Sequence, residues 1–293
     1  MLAGMLTGFP VTDNVNTRIA TGLVLILAAL APTTLAAAQA ASTPSDPCAT
    51  GEPRARIIAC SQAIMNAPTN AKVRVGALVN RGNAHDALDE TALALRDYQA
   101  ALDIDTNSVP ALRSRAAVLY RHGENADALT DLMRAIALAP DDLVSLRMRG
   151  AVRAELGDIS RAVEDYSKVL DRYPSDLPSR EGRGLALAST GDHARAVQDF
   201  SRVLERDPRA RVARAARAFS LFQLRRYKQA IADWDQLIGA DPSQLPLVYC
   251  RGAAKVLSGD AVGGQADIDL VKQRQPETAA AQAAVCGTLR ESR

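Results

Sequence analysis

Residues 143–176 read LVSLRMRGAVRAELGDISRAVEDYSKVLDRYPSD, and residues 177–210 read LPSREGRGLALASTGDHARAVQDFSRVLERDPRA. Aligned without a gap, the two stretches share an Arg-Gly pair, a Gly-Asp pair, an Asp before an aromatic residue, and a proline near the end. Self-similarity at a fixed period is the signature of a repeat architecture. The fold must therefore be one that repeats every 34 residues.

The same period extends on both sides of these stretches. Six arginines and six aspartates recur at 34-residue steps, the aspartate always 16 residues after the arginine: Arg81, Arg115, Arg149, Arg183, Arg217 and Arg251 with Asp97, Asp131, Asp165, Asp199, Asp233 and Asp267. The pattern divides the chain into six units: 75–108, 109–142, 143–176, 177–210, 211–244 and 245–278.

Each unit is predicted to hold two helices. In four units the first helix ends at a glycine followed by an acidic residue, as at Gly191-Asp192, a pair suited to a C-cap and the next N-cap. A proline, or Thr106 in the first unit, follows the second helix. The fifth unit has Arg225-Arg226 instead of glycine and acid, so we expect its turn to be less well defined.

Small residues recur in both helices of every unit, as at Gly184 and Ala196, where the helix axes should approach most closely. A large apolar residue such as Phe200 is expected to fill the space beside them. Enlarging Gly184 to Leu should overpack the pair and cost about 1–3 kcal/mol.

These residues resemble the tetratricopeptide repeat, a 34-residue helix–turn–helix unit. The resemblance covers residues 75–278 and is closest to a bacterial form with Arg-Gly and Asp-aromatic pairs that is often exported. It implies an all-α fold, a right-handed α-solenoid of six helix–turn–helix repeats with a concave groove. One departure is that Arg replaces the family's usual Leu before the first small residue in all six copies.

The recurring Arg and Asp lie on opposite arms of each helical hairpin, where they could pair within or between repeats. Arg can bind a carboxylate through two parallel hydrogen bonds, which would fix the register of stacked helices. Because the pair is identical in every repeat, we interpret it as structural and not as a catalytic site.

The resemblance also implies a binding groove lined by first-helix side chains. The positions that match are Asn83, Arg113, Tyr120, Arg121, Arg147, Leu185, Phe219 and Phe222. This groove would be basic at one end and apolar at the other, which suits an extended or helical segment with an acidic half and an apolar half. The family's Lys/Asn clamp for a peptide C-terminus is not reproduced, since only Asn83 matches it.

The first 40 residues have the pattern of a secretory signal peptide. Arg18 precedes the apolar run IATGLVLILAAL at 19–30, and Ala38-Gln39-Ala40 forms a cleavage motif, with Met5 a possible alternative start. Twelve apolar residues are fewer than the roughly 20 that a comfortable membrane span needs. We expect a periplasmic or secreted protein cleaved near Ala40; the alternative is an uncleaved inner-membrane anchor facing the periplasm.

Four cysteines are expected to close the two ends of the array. An even number of cysteines in an exported chain favours disulfides, and we predict Cys48–Cys60 in an N-terminal capping segment, residues 41–74. The second predicted pair is Cys250–Cys286, which would hold a C-terminal capping helix within 279–293. The alternative is that some of these are small buried residues with free thiols.

Composition and motifs argue against several classes of function. The net charge is +2 and aromatics make up 4% of the chain, so a nucleic-acid surface is not expected. The sequence contains no P-loop, HExxH or GxSxG motif and no metal-ligand spacing, so we expect no enzyme activity, metal or cofactor. The sequence favours an adaptor in the bacterial envelope that binds a protein or peptide. The alternative is a self-associating part of a secretion or polymer-export assembly.

Overall fold

The computed structural model describes residues 48–286, which form fourteen helices and no strand. The expected signal segment at 1–40 and residues 287–293 lie outside the described residues. The helices are α1 Pro53–Asn66, α2 Ala71–Asp86, α3 Thr91–Ile104, α4 Val109–Arg121, α5 Asn125–Leu138, α6 Leu143–Glu155, α7 Ile159–Arg172, α8 Leu177–Ser189, α9 His193–Arg206, α10 Arg211–Gln223, α11 Tyr227–Ala240, α12 Leu245–Leu257, α13 Ala261–Arg274 and α14 Pro276–Val285.

The described chain divides into two compact units, residues 48–182 and residues 183–286. In each unit consecutive helices pack against each other as hairpins, as α2 does on α3 and α12 on α13. In residues 48–182 the first helices of successive repeats, α2, α4 and α6, also contact one another. The expected all-α, helix–turn–helix fold is confirmed.

The recurring small residues lie where an aromatic ring of the second helix presses on the first. A Cβ atom added to Gly184 would lie 2.7 Å from Cε1 of Phe200, and one added to Gly82 would lie 2.6 Å from Cε1 of Tyr98. Tyr98 and Phe200 are almost completely buried. The close approach of the ring therefore explains the small residue at both positions, as the sequence pattern predicted.

The turns between first and second helices share one geometry. Gly191 has φ 85° and donates its backbone N–H to Ala188, while Asp192 N–H donates to Leu187. Arg225 adopts φ 58°, and Arg225 and Arg226 make the equivalent bonds to Phe222 and Leu221 at 2.9 and 2.8 Å. The prediction of a less well-defined turn in the fifth repeat is wrong, because the backbone makes the same two hydrogen bonds with arginine in the left-handed region.

Side-chain caps start several of the first helices. Ser108 Oγ accepts from Ala111 N–H at 3.4 Å, and carboxylate oxygens of Asp142 and Asp176 accept from Ser145 and Ser179 N–H at 3.3 and 2.9 Å. Each cap satisfies a backbone donor that has no partner within its helix. The caps fix where α4, α6 and α8 begin.

Disulfides join the four cysteines in the two expected pairs. Cys48 bonds to Cys60 on α1, and Cys250 on α12 bonds to Cys286, which follows α14. All four side chains are buried. The first bond therefore fixes the segment before α1 to α1, and the second fixes the end of α14 to α12.

Candidate interaction surface

The recurring Arg and Asp form one repeated contact, the Arg–Asp ladder. In each of the six pairs the arginine donates from Nε to Oδ2 at 2.7–2.9 Å and from Nη2 to Oδ1 at 2.6–2.8 Å. Both residues belong to the same repeat, on its first and second helices. The sequence left open whether these arginines and aspartates pair within or between repeats. In the structure each arginine binds the aspartate of its own repeat.

The third arginine nitrogen reaches into the preceding repeat. Nη1 of Arg217 donates to Ser201 Oγ at 3.2 Å, and Nη1 of Arg251 donates to Asp235 Oδ1 at 2.9 Å. In each case the acceptor is 16 residues earlier, on the second helix of the previous repeat. One guanidinium thus closes its own hairpin and joins it to its neighbour.

The aspartates of the ladder are buried, and its arginines are partly buried. The side chain of Asp165 is 0% exposed and accepts from both Arg149 and Arg153. Burial by itself raises the pKa of Asp267, but hydrogen bonds from Arg251 and Lys255 hold that pKa below its ordinary value. The carboxylate of Asp267 is therefore stabilised in its ionised form by two cations of this chain.

Two arginines expected in the groove are neutralised within the protein. Arg113 Nη1 donates to Asp142 at 3.0 Å, and Arg147 Nη1 donates to Asp176 at 3.0 Å. In both cases the partner is the N-cap of the first helix of the next repeat. The predicted basic half of the groove is corrected accordingly, since these cations already bind carboxylates of this chain.

The sequence analysis did not identify Asp142 and Asp176 as ion-pair partners. The sequence feature that could have revealed this role is the separation of 29 residues between arginine and aspartate, which both pairs share. The other four repeats lack the pair, because none has arginine at the matching position, which is occupied by Val79, Glu181, Ala215 and Tyr249.

Asn83, Tyr120 and Arg121 lie on first helices of residues 48–182 and are not fully buried. Asn83 Oδ1 accepts from the Tyr98 hydroxyl at 2.8 Å, and Arg121 pairs with Asp86 across α2 and α4. Tyr120 is half-buried; burial, followed by the charge of Glu155, raises the pKa of its phenol. We call these three residues, with half-buried Ala151, the first-helix surface.

The aromatic anchors expected in the fifth repeat are part of the core. Phe219 is 0% exposed and meets the His193 ring edge-on, at 6.2 Å between centroids. Phe222 is 8% exposed and contacts the rings of Tyr227 and Trp234. Of the three apolar groove residues, only Leu185 is half-exposed, so the predicted apolar half is corrected to core packing.

The described part of the chain contains neither a helix suited to span a membrane nor a group of side chains suited to bind a metal ion. Between residues 48 and 286, no helix is long and apolar enough to span a membrane. Within the same range, no three His, Cys, Asp or Glu side chains are grouped so that they could bind a metal ion.

A known family of repeats matches part of this chain. Residues 147–211 match a family model described as tetratricopeptide repeat. A comparison with curated protein sequences found no match.

Solved structures share the fold at low sequence identity. A tetratricopeptide repeat protein from Parabacteroides merdae is 19% identical with a TM-score of 0.56, over 80% of this chain and 91% of that one. PilF of Pseudomonas aeruginosa is 19% identical with a TM-score of 0.59, over 71% and 95%. YrrB, described as a TPR protein with an unusual peptide-binding site, is 21% identical with a TM-score of 0.54, over 62% and 92%.

Proposed function

We propose that this chain, whose residues 147–211 match the tetratricopeptide repeat, is a non-catalytic scaffold of the bacterial cell envelope that binds a segment of a partner protein. The proposed binding site is the first-helix surface of residues 48–182. The peptide-binding site of YrrB, a structure with the same fold, supports a role of this kind.

The observation that carries the proposal is the difference in exposure among the paired arginines. The side chains of Arg113 and Arg147 are 20% and 24% exposed. Tyr120 and Arg121 lie at the C-terminal end of α4, where Arg121 pairs with Asp86 but its side chain is 44% exposed. Tyr and Arg are the residue types that most often dominate the energetics of protein interfaces.

Export is part of the proposal. The apolar run at 19–30 followed by Ala38-Gln39-Ala40 supports a signal peptide, and two disulfides are stable in an oxidising compartment. Mass mapping of protein isolated from the envelope under non-reducing conditions tests this. We expect a mature N-terminus near Ala41 and two intact disulfides; four free thiols would contradict export.

Affinity capture after cross-linking in cells tests the binding role. The double variant Tyr120→Ala/Arg121→Ala truncates the first-helix surface, whereas Leu93→Ala/Arg96→Ala makes a similar change at two exposed positions of α3. We expect a partner captured by the unchanged protein and by the α3 control to be lost from the first variant. Equal capture by all three proteins would reject this surface.

The second candidate is end-to-end self-association. It is favoured by the outer face of α1, where Ile58 and Met65 are 62% and 69% exposed and lie seven residues apart. Light scattering distinguishes the two roles. An oligomer that grows with concentration and is lost in Met65→Glu supports self-association, and a monomer supports the scaffold that binds another protein.

A further inference from the structure

A basic cleft lies in residues 183–286, whereas the first-helix surface belongs to residues 48–182. It has a volume of about 410 Å³ and is lined by Arg225, Arg226, Tyr227, Lys228, Gln229 and Ser258. Of these six described residues, three are basic and none is acidic. The nearest acidic residue after Ser258 in sequence is Asp260, whose carboxylate accepts from Gly263 N–H at 2.9 Å to cap α13.

The three basic side chains are exposed and lie within four consecutive residues. The contact that the structure shows for Arg226 is to a neutral group, with Nε donating to Gln229 Oε1 at 2.5 Å. This differs from the arginines of the ladder and from Arg113 and Arg147, each of which donates to a carboxylate. Like charges held side by side repel each other, and an anion in the cleft relieves that repulsion.

The turn does not require arginine for its structure. The equivalent turn in the fourth repeat makes the same pair of backbone hydrogen bonds with Gly191 and Asp192. Arg225 occupies the left-handed region at φ 58°, where a side chain is less favourable than glycine. The fold therefore gives no reason for basic residues here, and their charge is the property to explain.

Two exposed leucines are next to lining residues of the cleft in sequence. Leu224 precedes Arg225 and is 37% exposed, and Leu257 precedes Ser258 and is 46% exposed. A ligand that covers both the cations and these leucines carries carboxylates and apolar groups together. A small inorganic anion satisfies only the first condition.

We propose that the basic cleft binds an acidic segment of a partner protein, whose carboxylates pair with Arg225, Arg226 and Lys228 and whose apolar side chains contact Leu224 and Leu257. Arginine suits this ligand because its planar fork binds a carboxylate through two hydrogen bonds. The cleft shares no residue with the first-helix surface, so this proposal does not rest on the proposed function of that surface.

Fluorescence anisotropy of the full chain with a labelled Glu/Leu peptide tests the proposal. The double variant Arg225→Gly/Arg226→Asp restores the glycine and acid of the fourth repeat, so it should fold with an unchanged or higher melting temperature. We expect it to weaken peptide binding by at least about tenfold. Binding by the unchanged protein should also weaken as salt is raised and be lost when the peptide's glutamates are glutamines.

A control variant removes the same amount of charge elsewhere. Arg54 and Arg96 are exposed in residues 48–182, and Arg54→Gln/Arg96→Asp gives the same net change. It should bind the peptide as the unchanged protein does. Equal weakening in both variants, or undiminished binding by Arg225→Gly/Arg226→Asp, overturns the proposal; so does binding to anionic phosphatidylglycerol vesicles, lost in that variant, without binding to the peptide.

Discussion

The guanidinium of Arg113 donates to Asp142, the residue that caps the first helix of the following repeat, at 3.0 Å. Arg147 and Asp176 repeat the contact one unit later. Each carboxylate therefore does two things: it satisfies a backbone donor of its own helix and it fixes that helix to the one before.

This relationship predicts that Asp142 contributes more to the free energy of unfolding than Arg113 does. Asp142→Ala removes both the cap and the ion pair and should lower the free energy of unfolding by about 1–2 kcal/mol. Arg113→Ala leaves the cap and should cost about 0.5–1 kcal/mol, because the pair is partly exposed. Urea unfolding measures both. A larger loss from Arg113→Ala would show that the cap is not the main contribution.

The ladder predicts that its arginines act on stability and not selectively on binding. Arg183→Ala leaves the carboxylate of Asp199 without its bidentate partner and should cost about 3 kcal/mol. The control is Arg161→Ala, which breaks an exposed pair with Asp158 and should cost less than about 0.5 kcal/mol. Thermal melts compare the two. Unchanged stability with lost partner binding in Arg183→Ala would reassign the ladder.

Replacing glycine by alanine should change the free energy of unfolding in opposite directions at Gly184 and Gly239. In Gly184→Ala the new methyl group would lie 2.7 Å from the buried Phe200 ring, and the change should cost about 1–3 kcal/mol. Nothing lies within 4 Å of a methyl group added at Gly239 on α11, so Gly239→Ala should stabilise by about 0.5–1 kcal/mol. Chemical denaturation of both variants would refute the packing argument if they changed in the same direction.

The free energy of unfolding should decrease as the pH is lowered, because His193 is buried in its neutral form. The side chain is 7% exposed, and Nδ1 has no hydrogen-bond partner among the described residues. Burial lowers the pKa of this imidazole below 6.5, against a smaller opposing effect of Asp192. The folded state therefore favours the neutral ring, and its contribution is complete above the unfolded pKa and is lost as pH falls below it.

The variant His193→Gln isolates this contribution. Between about pH 7.5 and about pH 5 the unchanged protein should lose more stability than the variant. The comparison removes the contributions of the other titrating groups, which both proteins share. Equal losses in the two proteins would show that His193 does not titrate differently in the folded and unfolded states.

The sequence predicted the parts of the structure that depend on short separations. The helical hairpin and the structural role of the recurring Arg and Asp follow from a 34-residue period and from residue chemistry, whereas the choice of pairing within each repeat came from the structure. Both disulfide pairs were also predicted, from an even number of cysteines located towards the two ends of the repeat array.

The surface was harder to predict because repeat register does not report what covers a side chain. Phe219 and Phe222 match groove positions of the family, yet both are buried against other rings. Arg113 matches too, but its charge is paired through the stacking of successive repeats. Arg225 was expected to disturb its turn, whereas the left-handed backbone is kept and the changed property is charge.

Photo-cross-linking from single positions tests the central claim, that the first-helix surface of residues 48–182 binds another protein. A photoreactive amino acid is placed at Tyr120 or, as the control, at Leu93, which is 41% exposed on α3. We predict a discrete cross-linked partner from position 120 and none from position 93. Cross-links only to the protein itself, or the same products from both positions, would contradict the account.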